Sequence, residues 1–166
     1  MSVPSQMGQN DGTPRQAGVL GLEGRQSSDR LIMPAEWSPH RATWLAWPHN
    51  RSDWPGKLSA VSWCYVDIVR NLSLSERVAI LFNNEAAERR AVSQLKRAGV
   101  DLSRIELFVC QTDRSWIRDS GGSFVKRRGR DEAGWEVVLV DWRFNAWAKY
   151  SNWSHDDKVP ERIASA

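Results

Sequence analysis

Residues 111–122, read as Gln-Thr-Asp-Arg-Ser-Trp-Ile-Arg-Asp-Ser-Gly-Gly, hold the densest set of reactive side chains in this chain. They bring together Asp113, Asp119, Arg114, Arg118, Trp116 and the glycine pair Gly121 and Gly122. A carboxylate in such a segment can bind a cation, most tightly a planar guanidinium that offers paired N–H donors to two oxygens. Trp116 and Asp119 stand three apart, so a regular strand would point them to opposite faces. They can line one pocket only if the chain turns there, and the glycines permit a turn. The competing reading is a set of Asp–Arg ion pairs in a solvated loop, which contribute little. A second segment, Val140-Asp-Trp-Arg-Phe-Asn-Ala-Trp147, reads either as a strand end with aromatics packed as core or as a pocket wall.

The other reactive types are sparse. Cys64 sits in a helical pattern between Trp63 and Tyr65 and reads as a small buried hydrophobe. Cys110 ends a strand beside residues 111–122 and is the better candidate for a thiol nucleophile, which needs a basic partner and an exposed site. His40, His49 and His155 show no metal-ligand spacing, and neither His-x-x-x-His nor Cys-x-x-Cys occurs, so no zinc site is expected. No phosphate-cradling glycine loop and no Gly-x-Ser-x-Gly elbow occurs either.

The elements that must carry these residues follow an α/β order. Residues 43–47 are a short β-prone run stopped by Pro48. Residues 57–72 carry an incomplete helical stripe of Val61, Val66, Ile68, Val69 and Leu72. Residues 77–82 are apolar enough for a strand buried on both faces. Asn83 or Asn84 can cap a helix running from Glu85 to Ala98, with Ala91, Val92, Leu95 and Ala98 along one side and Gly99 just past its end. Residues 105–109 form a further strand, so residues 111–122 follow a buried strand, a common place for a site in such folds. Residues 123–126 and 135–142 suggest two strands joined by a charged loop. Beyond Arg143 the pattern is irregular.

The chain has 166 residues with 23 Lys+Arg and 20 Asp+Glu, a net charge of +3. That small excess of mixed sign gives weak reason to expect nucleic acid as a partner. No apolar stretch approaches the ~18 residues of a membrane span. Two cysteines make no disulfide framework, and the N-terminus lacks the basic and apolar regions of a secretion signal, so a cytoplasmic setting is expected. Residues 1–32 are rich in Gly, Ser and Gln and have no aromatic residue, and are expected to be a disordered tail ahead of one domain over residues 33–166.

Five ordered motifs resemble the agmatine deiminases, within the wider group of bacterial peptidylarginine deiminases. They are Met33-Pro-Ala-Glu-Trp-Ser-Pro-His40, Ala42-Thr-Trp-Leu-Ala-Trp-Pro-His-Asn50, Asp53-Trp-Pro-Gly56, Trp116-Ile-Arg-Asp-Ser-Gly121 and Asp141-Trp-Arg-Phe-Asn-Ala-Trp147. The resemblance implies a pentein, a five-bladed α/β propeller, of which only the N-terminal blades would be present here. It implies hydrolysis of a guanidinium group by a cysteine thiolate, with ammonia leaving, water resolving the intermediate, and no cofactor. Carried over, Asp119 matches a guanidinium-binding aspartate and Trp116 a tryptophan that packs on the substrate's aliphatic stem. Arg118 matches a structural or orienting position, and Asn145 and Trp147 match a motif without an assigned role. The family's Glu-Gly-Gly, Gly-His-x-Asp and Gly-x-x-His-Cys segments have no counterpart, and neither Cys64 nor Cys110 stands in such a context. The resemblance therefore implies an N-terminal portion, inactive alone and prone to self-association through uncovered propeller faces. Gly122 stands where the family commonly has Pro, and Ala148 where a glycine pair is common. Two alternatives stay open: a deiminase of peptidyl or free arginine, and a Trp-rich module for single-stranded nucleic acid or sugar, which would need exposed Trp beside a basic groove. The apolar runs around Trp44, Trp47, Trp142 and Trp147 suggest that these four are buried.

Overall fold

The computed structural model describes residues 14–15, 31–128 and 134–166, which fall into two compact units: residues 35–119 form one, and the remaining described residues form the other. The first unit is a three-stranded parallel sheet in the order β3-β4-β5, where β3 is Ala42–Ala46, β4 is Arg77–Phe82 and β5 is Ile105–Val109. Helix α1 (Leu58–Leu72) links the first two strands and α2 (Glu85–Arg97) the last two, as parallel strands require. Val66 and Val69 of α1, Ala91 and Leu95 of α2, and Val78, Ile80 and Phe82 of β4 share one buried core, so both helices cover the same face of the sheet. On the other face Ala79 and Leu81 are also buried, and the rings of Trp44 and Phe108 from the flanking strands meet there at 5.1 Å. Strand β4 is thus buried on both sides, as its unbroken apolar run requires.

Local chemistry fixes the ends of α2. The Asn84 side chain accepts a hydrogen bond from the Ala87 amide, which caps the N-terminus. Glu85 and Glu88 lie in the first turn and Lys96 and Arg97 in the last, each matched to the helix dipole. Gly99 takes φ +72°, and the Val100 amide donates to the Leu95 carbonyl at 3.1 Å while both side chains enter the core. On α1 the buried face is set by Val66 and Val69, and Cys64 lies about 160° around the helix from Val66. Cys64 is therefore exposed, contrary to its reading as a buried hydrophobe.

The second unit is an antiparallel sheet in the order β1-β7-β6-β2. Here β1 is Pro14–Arg15, β2 is Leu31–Ile32, β6 is Ser123–Arg128 and β7 is Trp135–Trp142. Residues 14–15 and 31–32 fall within the expected disordered tail yet pair with β7 and β6; the rest of residues 1–30 lies outside the described residues. Strand β6 runs two residues further than its apolar pattern suggests, because Arg127 faces Glu136 across the pair and bonds it at 2.7 Å. Gly122 enters β6 at φ +75°, where a Cβ would stand 2.7 Å from the Val140 carbonyl oxygen.

After β7 the chain makes short 3-10 turns and then helix α4 (Val159–Ala164), whose Val159 and Ile163 are buried. A six-residue helix is too short to show the periodicity that would announce it. The Asp157 carboxylate accepts from the buried Phe144 amide at 2.9 Å and ties this region back to the end of β7. Ala146, Trp147 and Ala148 hold φ values of 50°, 55° and 54°, three consecutive residues in the left-handed region. Each costs roughly 1–2 kcal/mol without glycine. Trp142 and Trp147 are 43% and 46% exposed, contrary to their reading as buried, whereas Trp47 is buried as read. Strand alternation puts Asp141 inside and Trp142 on the opposite side, and Trp147 packs edge-on against Phe144 and Tyr150 instead of entering the core. Among the described residues no helix is long and apolar enough to cross a membrane.

Candidate active site

The carboxyl ends of β3, β4 and β5 release three segments, and side chains from the first two converge on the segment after β5. From the end of β4, Asn83 Oδ1 accepts a hydrogen bond from the Thr112 amide at 3.2 Å. From the loop after β3, the Asn50 amide donates to the Asp113 carbonyl at 3.0 Å. Asp53, from the same loop, forms an ion pair with Arg114, and the two side chains are only 5% and 4% exposed. Next along both segments, the rings of Trp54 and Trp116 stand 5.2 Å apart and tilted by 43°. The contacts run in order along both segments: 50 with 113, 53 with 114, 54 with 116. Thr112, Arg114 and Ser115 are all buried as a result.

Past this clamp the chain turns. The Ile117 amide donates to the Ser115 carbonyl at 3.0 Å and the Asp119 amide to the Trp116 carbonyl at 3.1 Å, starting the one-turn helix α3 (Ile117–Ser120). That turn supplies the bend that the spacing of Trp116 and Asp119 demands, and both side chains are exposed. Arg118 donates to Glu36 at 2.8 Å, an ion pair whose partners are 85% and 76% exposed. The three residues singled out from the sequence thus share one exposed turn, mounted on a buried polar base.

Burial pushes the Asp53 carboxyl above the usual carboxylate range, while the Arg114 guanidinium and His49 act in the opposite direction. The cost of taking this carboxylate out of water is therefore only partly offset by its partners. The competing reading, Asp–Arg pairs confined to residues 111–122 in solvent, leaves out the partners that Arg114 and Arg118 take. Arg114 and Arg118 each take a carboxylate from much earlier in the chain, and the Arg114 pair is buried. Sequence reasoning missed Asn50, Asp53, Trp54 and Glu36 as site-building residues; their signal lay in the Asp53-Trp-Pro-Gly56 motif and the run that precedes it. Cys110 is half-buried, its amide bonded to the Phe82 carbonyl at 2.8 Å and its Sγ 3.7 Å from the Gln111 carbonyl oxygen. Among the described residues no group of three or more His, Cys, Asp or Glu is arranged to hold a metal ion.

The sequence profile of the Porphyromonas-type peptidyl-arginine deiminases matches residues 32–166. The chain belongs to this family. Among its relatives, the agmatine deiminase of Stutzerimonas stutzeri is 31% identical over 140 residues, covering 81% of this chain and 35% of that protein. The agmatine deiminase of Ectopseudomonas mendocina is 32% identical over 141 residues, covering 82% of this chain and 35% of the relative. This family member thus spans about a third of the length of the curated relatives it matches. Among solved structures, a substrate-bound agmatine deiminase of C. jejuni superposes with TM-score 0.67 at 23% identity, over 85% of this chain and 38% of that one. The agmatine deiminase of Enterococcus faecalis gives TM-score 0.68 at 25% identity, over 81% of this chain and 35% of the other. The mixed α/β fold described above is therefore the fold of the corresponding part of these deiminases.

Proposed function

We propose that this chain supplies the guanidinium-holding, N-terminal part of a guanidine hydrolase that converts agmatine and water to N-carbamoylputrescine and ammonia. The observation that carries this reading is the exposed turn that places Trp116 and Asp119 together at the carboxyl ends of a parallel sheet. Relatives named agmatine deiminase support the choice of substrate. A guanidinium stays charged at any working pH and presents paired donors, which an aspartate carboxylate accepts in one plane. In this assignment Asp119 accepts those donors, the Trp116 ring packs on the aliphatic stem, and Arg118, tied to Glu36, orients the turn. The attacking thiolate is one that neither Cys64 nor Cys110 supplies. It adds to the guanidinium carbon, ammonia departs with a proton from an acid, and water then releases the ureido product and the thiolate.

The complete fold in this reading is a five-bladed pentein, the setting cytoplasmic, the product a precursor of putrescine, and no cofactor takes part. Nucleic acid is not a partner, and uncovered faces of the isolated chain drive self-association. Exposure of Trp142 and Trp147, and of Trp37 and Trp135 besides, favours a stacking module for single-stranded nucleic acid or sugar. Membership of the deiminase family weighs against it. Peptidyl or free arginine is the alternative substrate.

The test is a chimera in which residues 32–166 replace the matching third of the Stutzerimonas relative. The chimera is expected to release ammonia from agmatine faster than from free or peptidyl arginine, and the 166-residue chain alone to release none. Preference for an arginine substrate would change the substrate assignment. Ammonia release by the isolated chain, abolished by Cys110→Ser, would overturn the placement of the nucleophile.

A further inference from the structure

We propose that Asp53 is the positioning residue for the Trp116–Asp119 turn, acting through Arg114; this rests on the reading of that turn as the guanidinium site. Arg114 is two residues before Trp116, and the Asp53–Arg114 pair lies between the two other contacts that join the loops, Asn50 to Asp113 and Trp54 to Trp116. The loop that carries Asp53 is itself set by successive turns. The Asp53 amide donates to the Asn50 carbonyl at 3.3 Å, Trp54 to Arg51 at 3.3 Å and Lys57 to Trp54 at 2.9 Å. Asn50 Oδ1 also accepts from the Ser52 amide at 3.0 Å. Asp53 therefore offers Arg114 a fixed point in space.

The pair is a poor device for stability alone. It lies out of water, and Asp53 Oδ2 has no hydrogen-bond partner among the described residues. Buried pairs of this kind barely repay their desolvation, and apolar side chains of similar volume often do as well. What apolar packing cannot supply is direction: a guanidinium has a plane and fixed donor axes, so the carboxylate dictates where residue 114 stands. Thr112, Arg114 and Ser115 are buried and Asp113 is half-buried, while Trp116, Arg118 and Asp119 of the turn that follows are exposed. A shift at Arg114 is therefore transmitted to Trp116 and Asp119 with little between to absorb it. Placement errors of this kind outside the reacting centre cost activity without touching substrate.

The experiment compares the 166-residue chain with Asp53→Asn and with the neutral pair Asp53→Asn/Arg114→Gln, which leaves neither charge buried alone. Amide hydrogen exchange is read residue by residue, then agmatine is titrated against the Trp116 and Asp119 amide resonances. We expect the amides of residues 112–119 to exchange at least tenfold faster in the neutral pair, with β4 and α2 unchanged within about twofold. The agmatine half-saturation point should rise at least threefold. Equal acceleration throughout the unit, unchanged exchange in residues 112–119, or loss of the whole fold in the neutral pair would each overturn positioning in favour of a structural role. Local loosening in the variant with no agmatine response in the parent chain would sustain the positioning role and count against the guanidine reading alone.

Discussion

Arg114 and Arg118 stand four residues apart in one segment, each holding a carboxylate from an earlier loop, yet one pair is buried and the other lies in water. The Asp53–Arg114 pair lies under the segment and joins it to the loop after β3. The Glu36–Arg118 pair lies beside the exposed Trp116 and Asp119. The same two residue types thus do different work according to solvent. A buried ion pair is sensitive to loss of either partner, because the survivor stays charged without water. An exposed pair is screened and costs side-chain entropy to hold, so it adds little. Together they make a buried base that carries an exposed tip.

Two changes break or sharpen that contrast. Arg114→Ala, which strands the Asp53 carboxylate, is expected to cost about 3–5 kcal/mol, a fall in Tm on the order of 10 °C. Thermal melts followed by circular dichroism read it, and a change below 1 °C would mean the pair is not buried in solution. Arg118→Ala should cost at most about 1 kcal/mol in the same measurement, since both partners are solvated. A loss as large as that of Arg114→Ala would erase the distinction between base and tip.

The smallest expected effect is a pH dependence at the opposite end of the sheet. His40 bonds the Ser38 carbonyl at 2.8 Å and pairs with Glu76, and both contacts raise its pKa, the Ser38 bond first. A raised folded pKa makes this contribution complete below the ordinary value near 6.5 and lost as pH climbs through the folded value. Glu106 is shifted down, mainly by its hydrogen bond from Arg77 with further help from Arg41, so its contribution is present above the ordinary value of 4.5 and lost as pH falls through the lowered one. Stability of the chain should therefore decline gently on both sides, by under about 1 kcal/mol for each pair, since His40, Arg41 and Arg77 face solvent. His40→Gln should flatten the alkaline side only. If that variant leaves the alkaline decline untouched, another group is responsible.

Much of the base was legible in the sequence because its signals are local. The apolar run of β4, the cap at Asn84, the stop at Gly99 and the need for a bend between Trp116 and Asp119 all depend on residues within a few positions of one another. The partners were not legible. Asp53 and Arg114 are 61 residues apart and Glu36 and Arg118 are 82 apart, and no local periodicity relates such positions. The apolar run misled at the end of β7, where alternation gives Asp141 the buried place and Trp142 the open one. The left-handed turn at residues 146–148 is carried by Ala, Trp and Ala, so the glycine signal that marks Gly99 and Gly122 is absent there.

The central claim is that Asp119, on the exposed tip, holds the guanidinium. Asp119→Asn keeps shape and one acceptor but removes the charge, whereas Asp113→Asn leaves in place the backbone carbonyl that accepts from Asn50. In the chimera with residues 32–166, steady-state ammonia release from agmatine should show kcat/KM at least about a hundredfold lower for Asp119→Asn, at unchanged Tm, and within severalfold of the parent for Asp113→Asn. Near-normal turnover by a folded Asp119→Asn chimera would contradict the account.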